Sequence, residues 1–285
     1  PAADRVNDSH ADVVAGKYTA KFAGMYFLQT QDIDLNGKNF ASIGYYFANA
    51  KRTASFGGTY DGQGFAIRNG KITSQNTGHA LNVNWGHGLF GMIHGATIKN
   101  IVLDNVQVEG NGITGAIVGR AAATADDKEK GETLNVIENC VVNANCTVTA
   151  KYPTSVDTAK LSADYDQASR AGGIVGMAYG TTVRYCVNHA AINVPGNWVM
   201  TGGVVGNTTV EYCVNTGKIT YDLATYQNKA ECAVGGIVGF ISPYSAGVVD
   251  KTLVGNTVIR NCYNSGIFYF NMGENLAGNA IYWGG

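Results

Sequence analysis

The stretch Gly172-Gly-Ile-Val-Gly-Met-Ala-Tyr-Gly-Thr-Thr-Val-Arg-Tyr-Cys-Val-Asn188 contains two phrases that recur, in the same order, along the chain. GGIVG at 172–176 returns as GLFG at 88–91, GAIVG at 115–119, GGVVG at 202–206 and GGIVG at 235–239. VRYCVN at 183–188 returns as IKNIVL at 98–103, IENCVV at 137–142, VEYCVN at 210–215 and IRNCYN at 259–264, with IRNGKI at 67–72 as a weaker copy. Alternation of two phrases in fixed order is the signature of a repeat architecture.

Both phrases are short and β-branched with glycine at their ends, which reads as short apolar strands closed by Gly or Asn rather than helix. In the second phrase the apolar positions fall at i and i+3, as Val183 and Cys186 do. A straight strand sets such residues on opposite faces. A bend is therefore predicted near Asn100, Asn139, Tyr185, Tyr212 and Asn261, and asparagine tolerates the left-handed conformation such corners need. Short strands, sharp corners and repetition give an all-β fold, a single-stranded right-handed parallel β-helix (β-solenoid) with coils about 4.8 Å apart.

Composition agrees. Glycine makes 38 of 285 residues and proline 4, which points to tight turns and away from collagen or proline-rich linkers. With 45% hydrophobic and 14% charged residues the chain is too apolar for disorder. A net charge of −1 gives no electrostatic footprint for nucleic acid or an anionic membrane, and no apolar run is long enough to span a bilayer. From Pro1 no basic and apolar leader is read, so no signal peptide is expected in the sequence.

Cys140, Cys186, Cys213 and Cys262 share one repeat position, which Ile101 fills in an earlier copy. Interchange with Ile marks a buried apolar pocket. A ladder of free thiols is expected rather than disulfides, because parallel side chains on stacked coils keep their Cβ atoms too far apart. Cys146 and Cys232 fall outside this ladder.

The gap between the phrases is short at 88→98, 172→183 and 202→210, and long at 115→137 and 235→259. Insertions around 120–136 and 240–256 therefore leave at one corner, and a third around 150–170 leaves at another. Insertions in such folds tend to gather on the binding face, and tolerated drift in surface loops is the alternative reading. The candidate binding residues are Asp126, Asp127, Lys128, Glu129 and Lys130 in the first insertion and Tyr244 in the second.

The segment FGGTYDGQGFAIRN at 56–69, preceded by YFLQTQDIDLNG at 26–37 and followed by the GLFG and GGIVG phrases, resembles the GLUG-motif proteins. These are bacterial surface and secreted proteins, many from Bacteroides-type gut organisms. The same repeats occur in non-catalytic parts of some immunoglobulin-A-cleaving metallopeptidases. The resemblance covers roughly residues 26–265. It implies a β-helix outside the cell, at the surface or secreted, with an adhesin-like role, and it carries over no catalytic residue. Residues 1–25 are expected to form an N-terminal cap or linker and 26–285 the β-helix, with AGNAIYWGG at 277–285 reading as the start of a further coil.

Other motifs are weaker. GHGLFG at 86–91 and GNGITG at 110–115 match a dinucleotide fingerprint, but strands follow where a helix N-terminus is required. DIDLNG at 32–37 spaces Asp32, Asp34 and Asn36 as calcium ligands, yet Ile43 stands where the twelfth-position Glu belongs, and Ile33 and Leu35 alternate as in a half-buried strand. Gly86-His87-Gly88 and Asp126-Asp127 are similar to elements of polygalacturonases, whose other signatures are missing. The five histidines show no zinc spacing, and no G-x-S-x-G elbow is present. Tyr185 and Tyr212 are expected to stack, either to hold a sugar or to reinforce the coil interface. No catalytic residue, cofactor or metal is expected. The reading is a non-catalytic binding module for a glycan, glycoprotein or neighbouring surface protein. The alternatives are a β-helix polysaccharide hydrolase or lyase, and a structural spacer.

Overall fold

The computed structural model describes residues 22–47, 52–73, 86–111, 113–122, 135–151, 169–195, 199–201, 203–205, 208–222, 231–242, 244–245, 248–249, 257–271 and 280–284. Among these there is no helix, and the strands build four main parallel sheets. Sheet 1 takes one strand from each of seven successive coils: Tyr26–Leu28, Thr59–Asp61, Thr97–Lys99, Asn135–Glu138, Thr181–Arg184, Thr209–Glu211 and Val258–Arg260. From the second to the sixth of these the chain turns into sheet 2, the eleven-stranded sheet, then sheet 3 and sheet 4, and returns to sheet 1 one coil further on. Third-coil strands show the circuit: Thr97–Lys99, Val102–Asn111, Ile113–Gly115 and Val118–Ala122.

The corner between sheets 1 and 2 is set by backbone chirality. Asn100, Asn139, Tyr185, Tyr212 and Asn261 all adopt positive φ, between 53° and 57°, at the five positions the phrase spacing marks. The residue two before each corner points inward, as does the one immediately after. Ile98, Ile137, Ile101, Cys140 and Cys186 are all fully buried in one continuous core. Cys140, Cys146, Cys186, Cys213 and Cys262 are free thiols. Cys146, unassigned in sequence, lies in the same core and accepts the Val106 N–H at 3.3 Å.

The glycine phrase differs from its sequence reading. It is a corner and not a strand: Gly115 ends a sheet 3 strand, Ala116 and Ile117 turn into the core, and Val118 opens a sheet 4 strand. A Cβ on Gly115 would lie 2.2 Å from the Val118 carbonyl oxygen and 2.4 Å from Gly176 N. Glycine is required there because the two strands fold back closely on one another.

Two copies also shift. Ile67 and Arg68 pair with Leu103 and Asp104, while Tyr60 and Asp61 pair with Ile98 and Lys99. IRNGKI therefore sits one corner beyond the phrase it resembles, with Asn69 at positive φ there. In the fifth coil Thr201 pairs with Ala171 but Gly203 pairs with Met177. GGVVG is thus out of register with GGIVG, because this coil cuts its corner four residues short. The cut leaves a groove of about 70 Å³ lined by Gly172–Val175 and Gly235–Val238.

A second insertion type was not legible in sequence. In the first coil Ile43 bridges Phe90 and Phe56 bridges Ile93. Between them rises an antiparallel hairpin, Tyr45–Phe47 with Arg52–Ala54. At the N-terminal end the Phe22 ring packs edge-on against Phe27 at 5.2 Å and near Phe56 at 6.3 Å. Most of the expected cap, residues 1–21, lies outside the described residues.

Candidate interaction surface

Length variation around the coil is uneven. From Lys99, Glu138, Arg184, Glu211 and Arg260 the chain reaches sheet 2 in two intervening residues, while in the first two coils it takes four, at 29–32 and 62–65. The longest connections fall between sheets 4 and 1, at 123–134 and 243–257, and between sheets 2 and 3, at 74–85, 152–168, 223–230 and 272–279. Asp126, Asp127, Lys128, Glu129 and Lys130 lie outside the described residues. Tyr244 belongs to a short hairpin in which it pairs antiparallel with Val249.

The ridge beside the corner between sheets 1 and 2 carries the charge. Outward residues of sheet 1 alternate strictly in sign: Asp61, Lys99, Glu138, Arg184, Glu211 and Arg260 succeed one another in register. Arg184 Nη2 lies 2.7 Å from Glu138 Oε2, and Arg260 Nη2 lies 2.6 Å from Glu211 Oε2. Hydrogen bonding to these carboxylates, then their charge, holds both guanidiniums above the ordinary arginine value. A parallel sheet places like positions one above another, so like charges would repel and alternation removes that penalty.

Asp61 is the most constrained member. Burial pushes its carboxyl up. Hydrogen bonds from Tyr26 Oη at 2.6 Å, Asn100 Nδ2 at 2.8 Å and the Gln63 N–H at 3.0 Å, with the Lys99 ammonium 3.4 Å away, outweigh burial and hold it at about 2. Beside it, burial alone pushes the Tyr60 hydroxyl up to about 12.

Tyr185 and Tyr212, both about half exposed, stack with ring centroids 5.1 Å apart and planes 14° from parallel. Each covers one face of the other, and Arg184 lies 6.0 Å from the Tyr185 centroid. A sugar platform needs open ring faces side by side. This arrangement favours reinforcement of the coil interface.

The other motifs resolve into contacts between coils. Asp32 accepts the Ala66 N–H at 2.9 Å and pairs with Arg68 at 3.2 Å. Asp34 accepts from the Asn36 N–H and from Asn69 Nδ2, which hold its carboxyl below the ordinary aspartate value. His87 is buried, and its ring occupies the space that a side chain at Gly110 would fill. Asp104 accepts from Asn143, Glu109 pairs with Lys151 and Asp222 accepts from Asn271. Among the described residues no group of three or more His, Cys, Asp or Glu side chains is arranged to hold a metal, and no helix is long and apolar enough to cross a membrane.

What sequence reasoning missed is the sign alternation itself, although it was readable one residue before each predicted corner. Comparison with known proteins returns no match: no family model, no curated protein and no solved structure aligns significantly with the chain.

Proposed function

We propose that this chain is a right-handed parallel β-helix that serves as a non-catalytic binding module, displayed outside the cell and engaging a glycan, glycoprotein or neighbouring surface protein through its insertion loops. The observation that carries the reading is the contrast between the corner from sheet 1 to sheet 2, which keeps one length from the third coil to the seventh, and two corners whose connections differ by many residues. A rigid frame with length-variable loops at fixed edges is how binding scaffolds separate stability from recognition. The GLUG-type phrases are consistent with the same role.

The hydrolase and lyase alternatives lose support from the carboxylates. Those with described side chains are tied to partners on adjacent coils or in tight turns, whereas glycoside hydrolysis needs a facing pair, about 5 Å or about 6.5–9.5 Å apart.

The test is binding of labelled protein to a broad glycan and glycoprotein array with calcium present, run beside a variant in which residues 123–134 are replaced by a short Gly-Ser link. Binding by the parent and loss in the variant is the expected result. No binding to any array member removes the glycan-adhesin reading, and cleavage of a bound glycan replaces it with the enzyme.

A further inference from the structure

We propose that the outer face of sheet 1 docks a second copy of this chain about a two-fold axis that lies along the strands, midway between the fourth and fifth coils. Three columns of outward residues meet favourable counterparts under that one operation.

The first column is the charged one. From the second coil to the seventh it runs Asp61, Lys99, Glu138, Arg184, Glu211 and Arg260, each in register with the next. Six alternating charges become their own complement when the order is reversed. Rotation about the stated axis reverses the order of the coils and sets each column against itself. Glu138 of one copy then faces Arg184 of the other, Lys99 faces Glu211, and Asp61 faces Arg260. An axis along the stack would set every coil against itself, with Arg184 on Arg184 and Glu138 on Glu138, and repulsion excludes it. The charges also have hydrogen-bonding capacity to share. Arg184 Nε and Nη2 both go to Glu138 Oε2, and Arg260 binds Glu211 Oε2 in the same way. Each pair thus engages one carboxylate oxygen and leaves Oε1 and Nη1 for the copy opposite.

The second column is the corner itself. Asn100 and Asn139 hold it on the third and fourth coils, Tyr185 and Tyr212 on the fifth and sixth. The same rotation lays Tyr185 over Asn139 and Tyr212 over Asn100. The half-exposed stacked rings of each copy therefore meet the two smaller side chains of the other, and bulk never meets bulk.

The third column lies two residues before the charges: Thr59, Thr97, Val136, Thr182, Thr209 and Val258, again in register. All six are short and β-branched. They form a flat strip on which Val136 meets Thr182, Thr97 meets Thr209 and Thr59 meets Val258, so no long side chain holds the faces apart.

Avoidance of like neighbours within one sheet accounts for the alternation of charge. It does not account for a ring pair and an asparagine pair placed on opposite sides of the same midpoint, and an isologous contact does. Six strands span about 24 Å at the parallel-sheet spacing. A face that long and three residues wide is smaller than a standard stable interface, so the association is weak and sensitive to salt. It uses a different surface from the insertion loops and stands or falls separately from the reading above.

The test is sedimentation velocity of the full chain up to millimolar concentration, at low and at high salt. Dimerisation that weakens as salt rises is expected. Glu138→Arg and Arg184→Glu should each weaken self-association about ten-fold or more, because each places like charges together twice. An equimolar mixture of the two variants should recover it, because the reversed charge of one chain then faces the reversed charge of the other. A purely intramolecular role for the pair predicts no such recovery. Thermal melts check that both variants fold. If either reversal unfolds the chain, Glu138→Gln and Arg184→Gln take their place, each weakening self-association about three-fold. A parent chain that stays monomeric at low salt, association indifferent to these substitutions, or folded reversal variants that fail to associate when mixed overturns the proposal.

Discussion

Tyr185 and Tyr212 are both left-handed residues, φ 55° and 54°, and their rings lie stacked 5.1 Å apart one coil from each other. Asparagine holds the same corner at Asn100, Asn139 and Asn261, so the two tyrosines trade backbone comfort for ring contact. Left-handed backbone costs a residue with a Cβ about 1–2 kcal/mol, and an aromatic pair returns about 0.5–1.5 kcal/mol. Tyr185→Asn should therefore change the urea midpoint little, since both quantities are given up together. Tyr185→Val should lower stability by about 2 kcal/mol, because a branched side chain keeps the strain and loses the stack. Equal effects for the two variants would contradict this balance.

Gly115→Ala should destabilise the protein by about 1–3 kcal/mol, the range for forcing atoms into a packed site. The new methyl meets backbone at 2.2 and 2.4 Å, with no flexible side chain to move aside. Gly37→Ala is the control, with positive φ and no atom within 4 Å. Its loss should reflect backbone strain alone. Chemical denaturation of the two variants separates the effects.

The thiol ladder makes stability fall in alkali. Hydrogen bonding from Cys140 and burial raise Cys186 well above an ordinary thiol, and hydrogen bonding from Cys186 and burial raise Cys213. The folded state thus holds these protons more tightly than the unfolded chain. Their contribution is complete below the unfolded value of about 8.5 and is lost as pH rises above it. Cys186→Val should flatten the alkaline limb of the stability profile, and Ile101 at the equivalent position shows that an aliphatic side chain fits. In native protein at pH 8, Cys140, Cys186 and Cys213 should resist alkylation until urea is added.

Asp61 acts at the other end of the scale. Its carboxyl is held at about 2, below the unfolded value of about 3.9. Its contribution is complete above pH 4 and disappears as pH falls toward 2. Asp61→Asn should remove that acid limb and cost about 1 kcal/mol at pH 7, read from thermal melts at pH 3 and pH 7.

The corners show how far a sequence of this kind can be read. A convex corner at positive φ leaves a chemical mark, an Asn or a tolerated Tyr midway between two apolar residues. All five were legible. The concave corner needs only the absence of side chains, and Gly115 or Gly172 at its ends serves equally well as a strand terminator, so the phrase reads as a strand. IRNGKI misled for a related reason: Asn69 marks a corner, but nothing in six residues says which corner of the coil it is. The hairpin at Tyr45–Phe47 interrupts a sheet 4 strand, and only the bridges from Ile43 and Phe56 to the next coil reveal the interruption. The candidate surface was legible in its tyrosines and equally in its charges, since the repeat phrases alone align Lys99, Glu138, Arg184, Glu211 and Arg260 one residue before each corner.

That register also makes the molecule a ruler. Every strand of sheet 1 pairs with its neighbour without slip, so Ala122, where the chain leaves sheet 4 in the third coil, and Ser242, where it leaves sheet 4 in the sixth, are held three coil spacings apart, about 14 Å. Departure points at one and the same corner can be separated along the stack only by whole multiples of one step. A ligand reaching both must itself present groups at such an interval, and adding or deleting a coil changes the interval by one step without altering either loop.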